Sequence, residues 1–178
     1  MRLFHVSEES SITEFIPRIP KTNDLEKSKG LVWAINERCL PNFLTPRDCP
    51  RVTYHTNENT SHEDINKFFS SSSNHCVAIE YDWHVKMLET TLYIYEFDIE
   101  NFYLQDEIAG YYVSEHVEIP ISVEKYDNIY SELFKRNVEI RILNNLINLG
   151  EAVKKSSLNW SLCRMINAKS KIPMVSGE

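Results

Sequence analysis

Short β-forming runs recur along this chain without long helical periods between them, and this limits the fold more than any other feature. The runs 3–6, 31–35, 52–55, 76–81, 92–97, 102–104 and 138–142 are apolar or alternate with a period of two. A doubly wound parallel sheet would place a helix after almost every strand. The pattern therefore predicts an α+β fold: a mixed or antiparallel, strongly bent sheet with peripheral helices. Residues 1–170 are expected to form a single domain, with 171–178 as a loose tail. Helices are expected at 57–69, capped near Ser61, at 83–88, and as a short piece over 36–44 interrupted by Pro41. Further helices are expected at 123–136, where Ile129, Leu133 and Phe134 fall at helical spacing, at 144–155 and at 158–168, with Ser156-Ser157 as a cap. Residues 21–30 and the serines at 70–73 read as flexible loops.

Function classes narrow quickly. The net charge is -7 and the pI about 5.4, which argues against a broad DNA or RNA footprint. A local basic pocket for a small anion is compatible with that charge. The four glycines, Gly30, Gly110, Gly150 and Gly177, form neither a G-x-G-x-x-G turn nor a Walker loop. Cys39, Cys49, Cys76 and Cys163 include no C-x-x-C pair, so reduced thiols and no zinc site are expected. No export signal and no membrane-length apolar window are legible, so a cytoplasmic location is expected. Oligomeric state is not constrained.

The stretch 110–120, Gly-Tyr-Tyr-Val-Ser-Glu-His-Val-Glu-Ile-Pro, concentrates aromatic and ionisable residues. As one strand it would place Glu115 on the face of Tyr111, Val113, Val117 and Ile119. An acid among aliphatic side chains is either a site or a strand end that turns outward. His116 and Glu118 would share the solvated face with Ser114. His5 falls on the Leu3 side of the first strand, where an imidazole can act as a base, bond a ligand hydroxyl or simply be satisfied in a core. Arg47, Asp48 and Arg51 lie in a proline-rich turn. Its two guanidiniums could clamp a diphosphate or carboxylate, or Asp48 could pair internally and leave a stiff connector. Trp33 and Tyr111 offer planar stacking surfaces, or packing.

Several of these runs resemble a small bacterial family of uncharacterised proteins. They are Leu-Phe-His-Val-Ser-Glu-Glu at 3–9, Val-Trp-Ala-Ile at 32–35, Pro-Arg-Asp-Cys-Pro-Arg-Val-Thr at 46–53, Gly-Tyr-Tyr-Val-Ser at 110–114 and Arg-Met-Ile-Asn-Ala at 164–168. That resemblance implies membership of a domain of unknown function and no mechanism. A looser one is to the ADP-ribosyltransferase-like superfamily, including RNA 2′-phosphotransferases. It rests on the order His5, Trp33-Ala34, then Glu115 before Val117-Glu118-Ile119-Pro120. It implies a transferase acting on NAD or an RNA 2′-phosphate, with NAD as a substrate and no cofactor required. His5 would hold the nicotinamide-ribose hydroxyls and Glu115 would stabilise the ribosyl cation. Arg47 or Arg51 would meet the pyrophosphate on grounds of charge alone. The alternative is a non-catalytic module for a nucleotide-like or other small anionic ligand, bound by Arg47, Arg51, Trp33 and Tyr111.

Overall fold

The computed structural model describes residues 1–19, 29–70 and 72–170. Most of the expected loop at 21–30, Ser71 of the serine loop and the expected tail 171–178 lie outside the described residues. The strands are β1 (Leu3–Ser7), β2 (Val32–Asn36), β3 (Arg51–His55), β4 (His75–Glu80), β5 (Leu92–Phe97), β6 (Tyr103–Asp106), β7 (Tyr111–Ser114), β8 (Ser122–Tyr126), β9 (Val138–Leu143) and β10 (Asn159–Cys163). The α-helices are α1 (His62–Phe68), α2 (His84–Glu89), α3 (Ile129–Lys135) and α4 (Ile147–Val153). The architecture is α+β, with one antiparallel sheet and one mixed sheet. The chain divides into two compact units, the first Met1–Arg47 with Leu88–Glu132, the second Asp48–Met87 with the described residues from Leu133.

The first unit holds the six-stranded antiparallel sheet, in the order β6-β7-β2-β1-β5-β8. Cross-strand partners share a face. Leu3 pairs with Asn36, His5 with Tyr95, Ala34 with Tyr112 and Val32 with Ser114. All eight therefore lie on one face, while Phe4, Trp33, Ile35, Tyr111 and Val113 lie on the other. The His5 face buries Leu3, Val32, Ala34 and Phe97, with Phe15, Phe102 and Tyr112 packed against them. The backbone of residues 15–18 is pinned at two points: Phe15 and Glu118 exchange bonds of 2.8 and 3.0 Å, and Arg18 and Leu31 exchange two of 3.1 Å. A Cβ at Gly30 would come within 3.0 Å of the Pro17 carbonyl oxygen, so the crossing is backbone against backbone there.

The second unit carries the mixed sheet β10-β3-β4-β9, whose one parallel pair is β4 with β9. Its core joins Val52, Tyr54, Cys76 and Ala78 to Phe68, Leu146 and Val153. The Tyr54 hydroxyl donates to the Phe68 carbonyl at 2.9 Å, which satisfies the polar tip of a fully buried ring. Ser61 caps α1 as expected, its hydroxyl accepting the Asp64 N–H at 3.1 Å.

Two helical expectations fail. Residues 122–126 form β8 instead of the first turns of a helix, and α3 begins only after Asn128, whose Oδ1 accepts the Ser131 N–H. Val123 and Lys125 alternate with Glu124 and Tyr126, and pairing with β5 supplies backbone partners that an isolated helix turn would lack. Residues 159–163 form β10, because β3 offers an edge to pair with. Ser156 and Ser157 accordingly precede a strand and do not cap a helix. The stretch 110–120 is strand only over 111–114.

Candidate functional site

β7 ends at Ser114 because its side chain competes for the next backbone group. Ser114 Oγ accepts the His116 N–H at 3.0 Å, a local turn that breaks the strand's alternation. The break inverts the expected placement of the acids. Glu115 is exposed, in an ion pair with Lys29 at 3.0 Å, and its carboxylate accepts from the Tyr103 hydroxyl at 3.3 Å. The hydrogen bond and charge of Lys29 hold the Glu115 carboxyl below its ordinary value. Glu118, expected on a solvated face, is instead buried and accepts from Ser114 Oγ at 2.5 Å. His116 is exposed, as the sequence suggests. Tyr103 pairs with Val113, so Glu115 is held from the face opposite His5. The acid joined to His5's face is Glu118, through Ser114.

His5 is half-buried on β1. Its Nδ1 lies 3.0 Å from the Trp33 carbonyl oxygen, which can only accept, so Nδ1 carries the proton. The Phe15 ring packs on the imidazole with centroids 4.8 Å apart. The Tyr95 hydroxyl donates to the Glu9 carbonyl at 2.7 Å and accepts the Ile12 N–H at 3.2 Å, which ties residues 9–12 to the same face. Burial pushes the imidazole pKa down from 6.5. The bond to Trp33 opposes this, and the positive charges of Arg47 and Arg18 push it further down. In its neutral form Nε2 is a hydrogen-bond acceptor.

A pH effect follows. A folded-state pKa below 6.5 means that the unfolded chain takes up the His5 proton first as pH falls. The stability contributed by neutral His5 is whole above pH 6.5 and is lost as pH falls through 6.5 toward the folded value. His5→Gln should flatten stability against pH below 6.5, by at most about 1.4 kcal/mol per pH unit. Parallel curves for the two proteins in urea titrations would refute this.

The other expected binding residues are dispersed. Arg47 is exposed, and its backbone N–H donates to Glu8 Oε1 at 2.8 Å. Arg51 is buried and donates from Nη1 to the Cys49 carbonyl at 3.1 Å, so it cannot reach out as half of an exposed clamp. Asp48 lies 4.0 Å from the Arg164 guanidinium. Trp33 and Tyr111 meet edge to face at 5.4 Å and 88°, with Phe43 5.9 Å from Tyr111. These rings pack on each other, on the face opposite His5. Arg18 was not singled out by the sequence reading. Its signal was present in Pro17-Arg18-Ile19-Pro20, an arginine held between prolines much as Arg47 follows Pro46.

In the second unit an open cleft of about 440 Å³ is lined by Asp64, Lys67, Asn148, Glu151 and Lys155. Asp64 already accepts from both the Ser157 hydroxyl and backbone N–H, and the lining charges alternate in sign. Among the described residues no group of three or more His, Cys, Asp or Glu side chains is placed to hold a metal ion, and no helix is long and apolar enough to cross a membrane.

Residues 4–168 match a protein family of unknown function, DUF6886. The chain belongs to that family. No curated protein and no solved structure matches it. Membership thus covers His5, the arginines at 18 and 47, and the Ser114–Glu118 turn together, and assigns none of them a role.

Proposed function

We propose that this chain binds a small anionic, nucleotide-like ligand at the His5 face of its first sheet. One observation carries the reading: two exposed arginines, Arg18 and Arg47, lie close enough to the half-buried His5 for both to oppose its protonation. In a chain of net charge -7, two guanidiniums acting on one imidazole are the cationic groups an anion could use, with Glu8 beside Arg47 and Glu118 on the same face as the opposing charges. Guanidiniums would take the phosphate or carboxylate in paired hydrogen bonds. Neutral His5, with Nδ1 committed to Trp33, would accept from a ligand hydroxyl through Nε2. Trp33, Tyr111 and Arg51 would act by supporting the sheets and not by touching the ligand. The test is calorimetric titration with ADP, NAD and inorganic phosphate. Arg18→Ala or Arg47→Ala should each weaken binding about tenfold, and Glu115→Gln should leave it unchanged. Absence of heat with all three ligands at millimolar concentration, or binding indifferent to both arginine variants, would overturn it.

A second reading is the ADP-ribosyltransferase-like enzyme acting on NAD or an RNA 2′-phosphate. It is favoured by the carboxyl of Glu118, buried and bonded to Ser114 on the His5 face. In the NAD reaction the bond from ribose to nicotinamide breaks, positive charge develops on the ribose, and a carboxylate in a dry pocket would stabilise it. This reading expects nicotinamide release that Glu118→Gln abolishes and Glu115→Gln does not. Ligand binding without turnover of either substrate leaves the binding module as the function.

A further inference from the structure

β10 runs out at the end of the mixed sheet where β3 begins and where β4 and β9 finish, because Cys163 pairs with Arg51, Arg51 with Ile79, and Ile79 with Ile142. The chain beyond it, 164–170, is held on the second unit mainly by polar groups. Met165 packs against the core, but Ile166 is 93% exposed. Arg164 opens the segment at φ 55°, a left-handed conformation uncommon for a residue with a Cβ. The anchor is Lys169, and each of its polar groups meets a side chain. Its N–H donates to both carboxylate oxygens of Glu80 at 3.1 Å. Its carbonyl accepts from Asn145 Nδ2 at 2.9 Å, and its ammonium lies 2.8 Å from Asp82. Asn145 Oδ1 accepts the Ile147 N–H at 2.9 Å, so the amide is already turned to donate toward the segment.

Glu80 shows that this is recognition and not only a loose end laid on a surface. It is 1% exposed, and among the described residues one neutral N–H, that of Lys169, is its hydrogen-bond donor. A buried carboxylate is costly unless donors or cations meet it, so Glu80 depends on whatever backbone lies there. The other cations around this end are engaged elsewhere. Arg51 donates to the Cys49 carbonyl, the Lys86 ammonium lies 4.9 Å over the Trp83 ring, and Arg164 lies 4.0 Å from Asp48. Glu80 and Asp82 therefore face one lysine residue, the first through its backbone and the second through its side chain. We propose that Glu80, Asp82 and Asn145 form a docking site for an extended, lysine-bearing peptide segment, filled in this structure by the chain's own Lys169 as an intramolecular ligand. Release of 164–170 opens the site to a partner's segment of the same chemistry. A segment without the ammonium would leave Asp82 unmatched, and one without the backbone N–H would leave Glu80 without its donor. This site lies in the second unit and is independent of the anion site proposed above.

The test uses the full chain and a dye-labelled peptide with the sequence of 164–170, Arg-Met-Ile-Asn-Ala-Lys-Ser, read by fluorescence anisotropy. In the parent chain Lys169 competes at the high effective concentration of a tethered group, so the peptide should bind weakly. Lys169→Glu sets like charges against Asp82, frees the site and should tighten peptide binding about tenfold. Its melting temperature should hold, since the Lys169 side chain is 41% exposed. Adding Asp82→Lys to Lys169→Glu restores an intramolecular pair and repels the peptide's lysine, so binding should fall back to the parent level. A peptide with norleucine in place of lysine should bind the Lys169→Glu chain about tenfold more weakly than the lysine peptide. Equal peptide affinity for the parent and Lys169→Glu chains, or no binding to either, would overturn the proposal. So would binding that survives the charge swap, or equal binding of the norleucine peptide. A Lys169→Glu chain that melts far below the parent would make the segment a fixed part of the fold, which also overturns it.

Discussion

Gly110→Ala is expected to lower unfolding stability by about 2–4 kcal/mol, close to the largest effect of any single added methyl group. Two causes add. Gly110 has φ +68°, a left-handed conformation that costs a residue with a Cβ about 1–2 kcal/mol. The space is also occupied: a Cβ there would lie 2.6 Å from Asn36 Oδ1 and 2.7 Å from Cys39 Sγ. Neither atom is a loose surface end. Asn36 Oδ1 accepts the Cys39 N–H at 3.0 Å, and Cys39 is fully buried. The Asn36 N–H in turn donates to the Gly110 carbonyl at 2.9 Å, so a shift would cost that bond as well. Gly110→Asn separates the causes, since asparagine tolerates the left-handed conformation but brings the same Cβ. Both variants should show a lower urea midpoint with an unchanged slope. A stable Gly110→Asn would mean that backbone conformation alone matters; a Gly110→Ala within about 0.5 kcal/mol of the parent chain would refute both causes.

What the sequence disclosed follows the range of the forces involved. β1, β3, β4 and β5 were legible because their side chains alternate or run apolar over a few residues, and the α1 cap because Ser61 and Asp64 are three apart. β10 was not, because 158–168 has no strong local preference and its state is set by β3, distant in the chain. β8 was lost to the helical spacing of Ile129, Leu133 and Phe134. Leu133 is fully buried, but Phe134 is exposed, so that spacing overstated the buried face. The face of His5 was read correctly from its neighbour Leu3. The face of Glu115 was not, because alternation assumes an uninterrupted strand and one serine hydroxyl interrupts it. Arg51 shows a different limit: a charged residue in a proline-rich turn reads as exposed, yet its guanidinium satisfies a buried carbonyl.

Ser114→Ala is expected to cost about 1–3 kcal/mol, although it removes one oxygen atom. Ser114 is fully buried, and its hydroxyl does two things: it donates to Glu118 Oε1 and accepts the His116 N–H. Without it the buried Glu118 carboxyl loses a donor, and the His116 N–H loses its acceptor. The damage should reach the candidate ligand site, because the Glu118 backbone pins Phe15, and Phe15 covers His5. A double-mutant cycle with Glu118→Leu isolates the pair. Removing the hydroxyl from a chain that already lacks the carboxyl should cost much less than removing it alone, with a coupling of about 1 kcal/mol or more. If the hydroxyl only terminates β7, the two changes will add, and the Ser114–Glu118 contact contributes nothing of its own. The pH profile of the His5 resonance then distinguishes local from distant damage. Loosening the Phe15 crossing admits water to the imidazole, so its pKa should rise toward 6.5 in Ser114→Ala. An unmoved imidazole pKa in a destabilised variant would show that the turn supports the fold without shaping the His5 site.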